Sequence, residues 1–331
     1  MIPQPLIRIR PQRAVVSIQS ASEYEDVQAQ WSDLESGLGV ILGNPHSTQE
    51  FAPRVVQYDR WMQGLLQRDP DVGLYLLFQL AANSPVGYSA SHSLVCAVLC
   101  HLIALELEIA PLERDSLVHS ALTMNVAMTS MQDALATQVE KPTAQQKDMI
   151  GAHSGKGALV LADLGVTDRQ WLDIVSGHHD DAVERADFNT APPTTKLTRI
   201  LKVVDRYAAM ISPRMSRAGR TATESARSIM ANASVKTDEI GHALVRAVGL
   251  CPPGTYVRLD NEELGVVLRR SVQHNHPFVA IIGTTAGELI SAPRLHWTER
   301  SPHIRTSLAA SAVRVRLNHF QILQLGAYAG Q

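Results

Sequence analysis

Five residues of metal-ligand type fall on the apolar faces of segments with helical periodicity: His92, His153, His178, His179 and Asp205. They belong to a chain with 13 histidines, more than its 5 phenylalanines and 4 tryptophans together. An unpaired carboxylate on a core face is costly, so Asp205 should have a cation, a metal ion or strong donors beside it. Neutral imidazole and carboxylate are common ligands of zinc, manganese and iron. The pattern predicts a metal site; the alternative is that each side chain is an ordinary core or surface group.

Four predicted helices must bring these residues together. Apolar residues three and four positions apart place the helices at about 92–110, 145–164, 168–179 and 196–211. Thr167 and Gln170 fit a capping box for the third helix. The polar stretch 180–195, which contains two prolines, is predicted to be a loop. Cys96 and Cys100 share the apolar face of the first helix and are interpreted as core residues.

Other segments flank these four helices. Residues 1–18 alternate like one or two short strands, 22–82 have helical periodicity, and a single helix is predicted at about 114–135. Beyond about residue 254 the pattern alternates as in β-hairpins. The predicted fold is mainly α, with an N-terminal region of short strands and helices at 1–85, a helical bundle at 86–253 and a small β-rich C-terminal extension at 254–331.

Composition excludes several classes of protein. The chain has 331 residues, 45% of them hydrophobic, and a formal net charge of −2, which is typical of a folded domain and argues against a nucleic-acid binder. It has no run of 18 apolar residues, so no membrane span is expected, and its first residues lack a signal-peptide core. Three cysteines cannot all pair, which favours a reduced, cytoplasmic protein.

The order of motifs adds a family resemblance. The segments are ASHSLVCAVLCHLIALELEI, SALTMNVAM, KPTAQQKDMIGAHSGKGALVL, VSGHHD, RILKVVDRYAAMIS and GLCPPGTYVRLDNEELGVV. This order resembles the HD-GYP family of cyclic-di-GMP phosphodiesterases, a branch of the HD metal-dependent phosphohydrolases. The resemblance runs from about Tyr88 to about Leu268 and rests on order and spacing, with the PPGT element as its most specific sign.

The resemblance implies an HD-type helical bundle that binds two or three metal ions, and it assigns the ligands residue by residue. His92, His153, the His178–His179 pair and Asp205 match metal-binding positions of the family. The HD dyad itself is replaced by Met124 and Asn125, and the lysine that follows it in the family is Met128. Asp180 stands where the family has glutamate, and the loop after it contains no GYP triplet.

These departures weaken the implied chemistry. The family's HD aspartate bridges two metals, and the neutral amide of Asn125 is a poorer ligand, so a two-metal centre is not expected. Three imidazoles, His153, His178 and His179, suffice for one ion of iron, manganese or zinc. His92 and Asp205 would support a weak second site or hydrogen-bond to the ligands. Lys156 and Arg214 are secondary candidates for phosphate binding, each weighed against an ordinary solvated side chain.

Three functional readings follow, and the sequence leaves open whether the chain is an enzyme. The first is a degenerate HD-GYP-type signalling protein that binds cyclic-di-GMP or a protein such as a diguanylate cyclase, with weak or no hydrolysis. The second is an active phosphodiesterase that uses one metal on the three histidines. The third is a helical adaptor like the HDOD modules, which the retained histidine pair and the PPGT element disfavour. Oligomeric state is not predicted.

Overall fold

A computed structural model describes residues 21–83, 86–185, 187–231, 239–273, 275–313, 315 and 317–329. The chain is mostly helical with a small antiparallel sheet near its C-terminal end, which agrees with the predicted class. The short strands predicted within 1–18 lie outside the described residues.

Three helices form the N-terminal region: α1 (Ala21–Gly43), α2 (Phe51–Arg68) and α3 (Pro70–Asn83). The helical periodicity of this region is therefore confirmed, with breaks at Asn44 and Asp69. Asp69 is buried and begins α3, because its carboxylate accepts hydrogen bonds from the backbone amides of Asp71 and Val72 at 3.1 Å each.

The central helices follow in chain order: α4 (Tyr88–Glu106), α5 (Pro111–Thr123), α6 (Thr129–Thr137), α7 (Ala144–Asp163), α8 (Arg169–Gly177), α9 (Asp181–Arg185), α10 (Pro193–Ile211), α11 (Ala222–Ala231) and α12 (Glu239–Val248). Helix α4 is the centre of this group and packs against α1, α3, α5, α10 and α12. Among the described helices it alone is long and apolar enough to cross a membrane, but 83% of its apolar stretch is buried inside the protein. That burial is typical of a core helix.

The single helix predicted at 114–135 is wrong. The chain leaves α5 at Met124, turns at Asn125 (φ −104°, ψ 13°) and continues through a short 3-10 turn, Val126–Met128, into α6. The backbone amide of Met128 donates to the carbonyl of Asn125 at 2.8 Å, which closes the turn. Asparagine side chains compete with helical backbone bonds, so this residue favours a helix end over a helix interior.

Two other boundaries differ from the prediction. The expected capping box at Thr167 is wrong, because the Asp168 carboxylate accepts from the amides of Gln170 at 2.9 Å and Trp171 at 3.2 Å and so caps α8. The predicted loop at 180–195 contains the short helix α9, and α10 begins earlier than predicted, at Pro193. Proline suits the first turn of a helix because its missing amide hydrogen would have no partner there.

Five antiparallel strands form the C-terminal sheet: β1 (Tyr256–Leu259), β2 (Leu264–Arg269), β3 (Phe278–Gly283), β4 (Leu289–Trp297) and β5 (Ile304–Leu308), in the order β4-β3-β2-β1-β5. A further helix, α13 (His319–Ala327), was not predicted, and it packs on the sheet and on α1. Its amphipathic pattern is short, which explains why it was missed.

The sheet docks on α3 through charged and polar contacts. Arg269 of β2 pairs with the Asp69 carboxylate, and the Nε atom of Arg270 lies 2.5 Å from an oxygen of Asp71. The Gln79 amide donates to the carbonyl of Gly254 at 2.8 Å. One buried apolar cluster runs from α1 through the central helices into the sheet, so the N-terminal helices and the strands share a core with the bundle.

A buried histidine in this core makes stability depend on pH. His101 of α4 is buried near Arg114 of α5 and Asp59 of α2, and Asp59 also lies 3.1 Å from His119. Burial, followed by the Arg114 charge, lowers the pKa of His101 from 6.5 to about 4, against the opposing effect of Asp59. The folded state therefore binds fewer protons than the unfolded state between these two pKa values, and stability falls as pH decreases through that window.

We expect His101→Gln to remove this dependence. Between about pH 7 and about pH 5, the free energy of unfolding of the wild type should fall by about 2 kcal/mol more than that of the variant. Denaturant unfolding at both pH values measures the difference. Exposed His46 provides the control, since His46→Gln should retain the wild-type slope. Equal slopes for wild type and His101→Gln would contradict the assignment.

Candidate metal centre

Three imidazoles meet where α7 and α8 lie side by side. His153 is in the middle of α7, His178 ends α8, and His179 follows it. The Nε2 atoms of His153 and His178 are 3.2 Å apart, and the ring of His179 lies 4.9 Å and 4.2 Å from the other two, centroid to centroid. His153 and His178 are buried and His179 is exposed, so the group opens to solvent on one side.

Backbone carbonyls orient the two buried rings. Nδ1 of His153 lies 2.5 Å from the carbonyl oxygen of Ile150, and Nδ1 of His178 lies 2.7 Å from that of Val175. A carbonyl only accepts, so each Nδ1 carries the hydrogen and donates it. Each Nε2 is then bare in the neutral ring, and the two lone pairs point at one another.

Facing lone pairs need a cation between them, either a proton or a metal ion. Two nitrogens bound to one tetrahedral zinc at 2.0–2.1 Å would be about 3.3 Å apart, close to the 3.2 Å separation of the two Nε2 atoms. The Nδ1 bonds to backbone carbonyls are those that commonly orient metal-binding histidines. The group therefore fits a metal ion both in donor chemistry and in spacing.

Electrostatics favours the neutral, ligating form of both buried rings. Burial lowers the pKa of His178 to about 4, and the neighbouring His179 adds to this effect. Burial also lowers the pKa of His153. A proton shared between the rings is therefore unfavourable near neutral pH, which leaves a metal ion as the better partner for the lone pairs.

Close helix packing builds this group. A Cβ atom added at Gly157 of α7 would lie 3.4 Å from Val175 Cγ1 and 3.5 Å from the Met124 carbonyl oxygen, which is van der Waals contact, so α7 lies close against α8 and the end of α5 here. Helix α8 is tied to α5 in turn, since the indole of Trp171 donates to the Thr123 hydroxyl at 2.8 Å. These contacts fix the heights of His153 and His178 relative to each other.

A second group of potential ligands lies between α4 and α10. His92 Nε2 is 2.8 Å from an oxygen of Asp205 and 3.7 Å from the sulfur of Cys96. The ligand atoms of these three side chains all lie within 4.8 Å of one another. The other ring nitrogen of His92, Nδ1, is buried and has no hydrogen-bond partner among the described residues.

Asp205 couples the two groups. Burial alone would raise the pKa of its carboxyl, but the hydrogen bond and charge interaction with His92, together with His178 and His179, outweigh burial and hold this pKa well below its usual range. The carboxylate is therefore ionised at neutral pH and favours positive charge at both groups of imidazoles. His92 is therefore the hydrogen-bond partner that the sequence analysis expected beside a carboxylate on a core face.

Arg214 reaches the second group through a tyrosine that sequence reasoning missed. Its guanidinium lies 4.6 Å from the centre of the Tyr88 ring, and its Nη2 donates to the Tyr88 hydroxyl at 2.9 Å. Tyr88 stacks on His92, with ring centroids 5.3 Å apart. Lys156, by contrast, has an exposed side chain on α7. The structure thus brings Arg214 beside the candidate ligands.

Spacing along α4 could have revealed the missed residues. Tyr88, His92 and Cys96 are four positions apart and so occupy one face of the helix. The sequence pattern assigned that face to the core, and burial confirms it, but Asp205 of α10 meets the same face. Only the crossing of α4 and α10, which a single sequence does not specify, turns Cys96 from a core residue into a potential ligand.

Helix α9 forms a charged rim next to the centre. The Lys202 ammonium donates to the carbonyl of Asp180 at 3.1 Å and pairs with Asp181 at 2.9 Å. Arg206 pairs with Glu184 at 3.0 Å. The Asp180 carboxylate accepts from the backbone amide of Ala182 at 2.8 Å, so this aspartate caps a turn. These contacts hold the segment after the histidine pair against α10.

A known protein resembles part of this chain. Over 190 residues the chain is 28% identical to a cyclic di-GMP phosphodiesterase of Pseudomonas aeruginosa. The match covers 55% of this chain and 45% of that protein, so the chain spans less than half the relative's length. No protein-family model matches the chain, and no solved structure matches it.

We expect His178→Ala to lower metal binding by one ion per chain. Loss of one of three imidazoles should weaken affinity about a hundredfold or more, because the remaining two hold an ion poorly. Metal analysis after loading with zinc, manganese or iron and desalting measures the change. His242→Ala, at an exposed position on α12, is the matched control and should retain the wild-type metal content. Equal metal content in the two variants would count against the three-histidine site.

Proposed function

We propose that this chain is a degenerate HD-GYP-type signalling protein of cyclic-di-GMP pathways, with weak or no phosphodiesterase activity. It would act in the cytoplasm by binding the cyclic dinucleotide or a protein partner such as a diguanylate cyclase. The observation that supports the proposal is the pair of facing imidazole lone pairs, which could hold a metal ion although Met124 and Asn125 stand where the resemblance expects the HD dyad. The likeness to a cyclic di-GMP phosphodiesterase supports the ligand class.

A single metal ion of iron, manganese or zinc fits the three-histidine group. When bound, such an ion acts as a Lewis acid and lowers the pKa of a water molecule. His153 and His178 would hold it through their bare Nε2 atoms, and exposed His179 would complete three ligands on the open side. His92 and Asp205 lie in the second group and act on the first through the charge of the carboxylate.

Weak hydrolysis follows from the missing bridging carboxylate. Asn125 is neutral, and its backbone turn ends α5. Asp205 is already engaged by His92, and Asp180 caps the start of α9. A phosphodiester needs both its attacking and its leaving oxygen stabilised, which two bridged metals do well and one metal does poorly.

Arginines beside the centre provide a phosphate contact. Arg214 uses one nitrogen on Tyr88, and its buried Nε has no hydrogen-bond partner among the described residues. Arg217 lies close enough that the Arg214 charge adds to burial in lowering its pKa. Two neighbouring guanidinium groups favour a dianion such as a cyclic dinucleotide with two phosphates. Lys156 is a further, solvent-exposed candidate on α7.

The alternative is an active phosphodiesterase that uses one metal. The exposed side of the three-histidine group favours it, because catalytic zinc sites have three protein ligands and one open position. A third reading, a metal-free helical adaptor, would leave the lone pairs of His153 and His178 facing each other without a cation. Binding and turnover assays separate the three readings.

We expect the metal-loaded protein to bind cyclic-di-GMP and to hydrolyse it slowly or not at all. Arg214→Ala should weaken binding about tenfold or more, since it removes a charged hydrogen-bond donor to phosphate. Calorimetry measures binding, and chromatography of the products measures turnover. Arg169→Ala is the control, because Arg169 is exposed and pairs with Asp173 one turn away. Rapid turnover by the wild type would favour the active reading, and loss of both metal and nucleotide binding would favour the adaptor.

We expect the double substitution Met124→His/Asn125→Asp to raise both metal content and hydrolysis. It restores an imidazole and a carboxylate at the end of α5, where the added carboxylate can bridge ions. Metal analysis and a turnover assay on one preparation give the result. The single variant Met124→His, which lacks the carboxylate, is the control and should gain little. A folded double variant with unchanged metal content would show that more than the dyad has been lost.

A further inference from the structure

Cys96 is part of the second ligand group, although the resemblance gives it no role. It lies one turn after His92 on α4, and its sulfur is 3.7 Å from the same Nε2 atom that meets Asp205. One imidazole nitrogen thus faces a thiol and a carboxylate at once. Nitrogen, sulfur and oxygen atoms that converge in this way are typical of a metal site.

The distances fit a shared metal ion. A sulfur at about 2.3 Å and a nitrogen at about 2.0 Å from a tetrahedral zinc are about 3.5 Å apart, which is close to the 3.7 Å between the Cys96 sulfur and His92 Nε2. The carboxylate of Asp205 is closer to the nitrogen, at 2.8 Å, and would need to withdraw by about half an ångström. Since 20% of this side chain is exposed, an ion can approach the group from solvent at the carboxylate.

Charge balance also favours an ion here. The Asp205 carboxylate brings one negative charge to the trio, and the Cys96 thiol brings a second when it binds an ion as thiolate. A divalent ion that binds the sulfur displaces the thiol proton to solvent. The ion, the thiolate and the carboxylate then sum to zero charge, which is the least costly state for a buried group.

We propose that Cys96, His92 and Asp205 form a second metal site in which the Cys96 thiolate selects zinc over iron and manganese. Thiolate is a soft ligand that suits zinc, whereas carboxylate suits manganese and imidazole suits iron as well as zinc. The site shares no ligand with the three-histidine group, so it differs from a bridged two-metal centre. It goes beyond the proposed function, which needs one ion on the three histidines and uses His92 and Asp205 only through their hydrogen bond and charge.

Cobalt substitution tests this site without any activity measurement. A cobalt(II)–thiolate bond gives a sulfur-to-metal charge-transfer band in the near ultraviolet, whereas cobalt on imidazole and carboxylate gives none. The probe is the full chain loaded with cobalt(II), as wild type and as His178→Ala, which weakens the first site. Cys100→Ser is the matched control, because Cys100 is a buried thiol one turn further along α4 that is not in the ligand group.

The band is expected in wild type, His178→Ala and Cys100→Ser, and lost in Cys96→Ser together with one equivalent of zinc per chain. If Cys96→Ser does not fold, the double variant Cys100→Ser/Cys251→Ser decides, since Cys96 is then the only cysteine left. Absence of the band in wild type, its loss in the double variant or its persistence in Cys96→Ser would overturn the proposal and return Cys96 to the core. The cobalt band and the zinc content test only the Cys96 site, whereas cyclic-di-GMP binding tests the proposed function. Failure of one proposal can therefore be told from failure of the other.

Discussion

The central constraint in this structure is the contact between two buried imidazoles, whose unprotonated Nε2 atoms face each other. His153 and His178 each donate Nδ1–H to a carbonyl one turn earlier, so neither ring can relieve the contact by changing tautomer without losing a backbone bond. Burial makes protonation unfavourable as well. The arrangement is held by helix packing, through Gly157 on one side and the Trp171–Thr123 bond on the other. Such an unfavourable contact between polar groups is kept only where the surrounding packing holds both side chains in place, which is typical of functional sites.

Asp205 links the two groups of histidines electrostatically. Its carboxylate bonds to His92 in the most buried helix and lowers the cost of positive charge at the histidines of α7 and α8. The charge of Asp205 on α10 thus acts on His92 of α4 and on the histidines of α7 and α8. Because the candidate ligands lie on helices and at a helix end, their geometry is set by the core, and rigid elements position ligands more precisely than loops do.

The sequence predicted the positions of the candidate ligands better than it predicted their surroundings. The structure brings His153 together with the His178–His179 pair, and His92 together with Asp205, while their metal-binding roles stay predictions. Apolar spacing and family resemblance act at the level of one helix at a time, which is why these residues could be singled out. The turn at Asn125 was missed, since a continuous apolar period outweighed one weak helix former. Tyr88 and Cys96 were missed for a different reason: Arg214 lies 126 positions from Tyr88, and such contacts depend on how helices cross. Helix α13 and the docking of the sheet on α3 are long-range features of the same kind.

The contacts between the C-terminal sheet and α3 constrain how the sequence can evolve. Arg269 and Arg270 neutralise Asp69 and Asp71, and Asp69 is also the residue that begins α3. Without the strands, two carboxylates at the start of an N-terminal helix would lose their partners, and Gln79 would lose the Gly254 carbonyl. The start of α3 and the end of β2, about 200 positions apart in sequence, therefore depend on each other's charges, and a recombination that replaced one of them would have to supply matching charges.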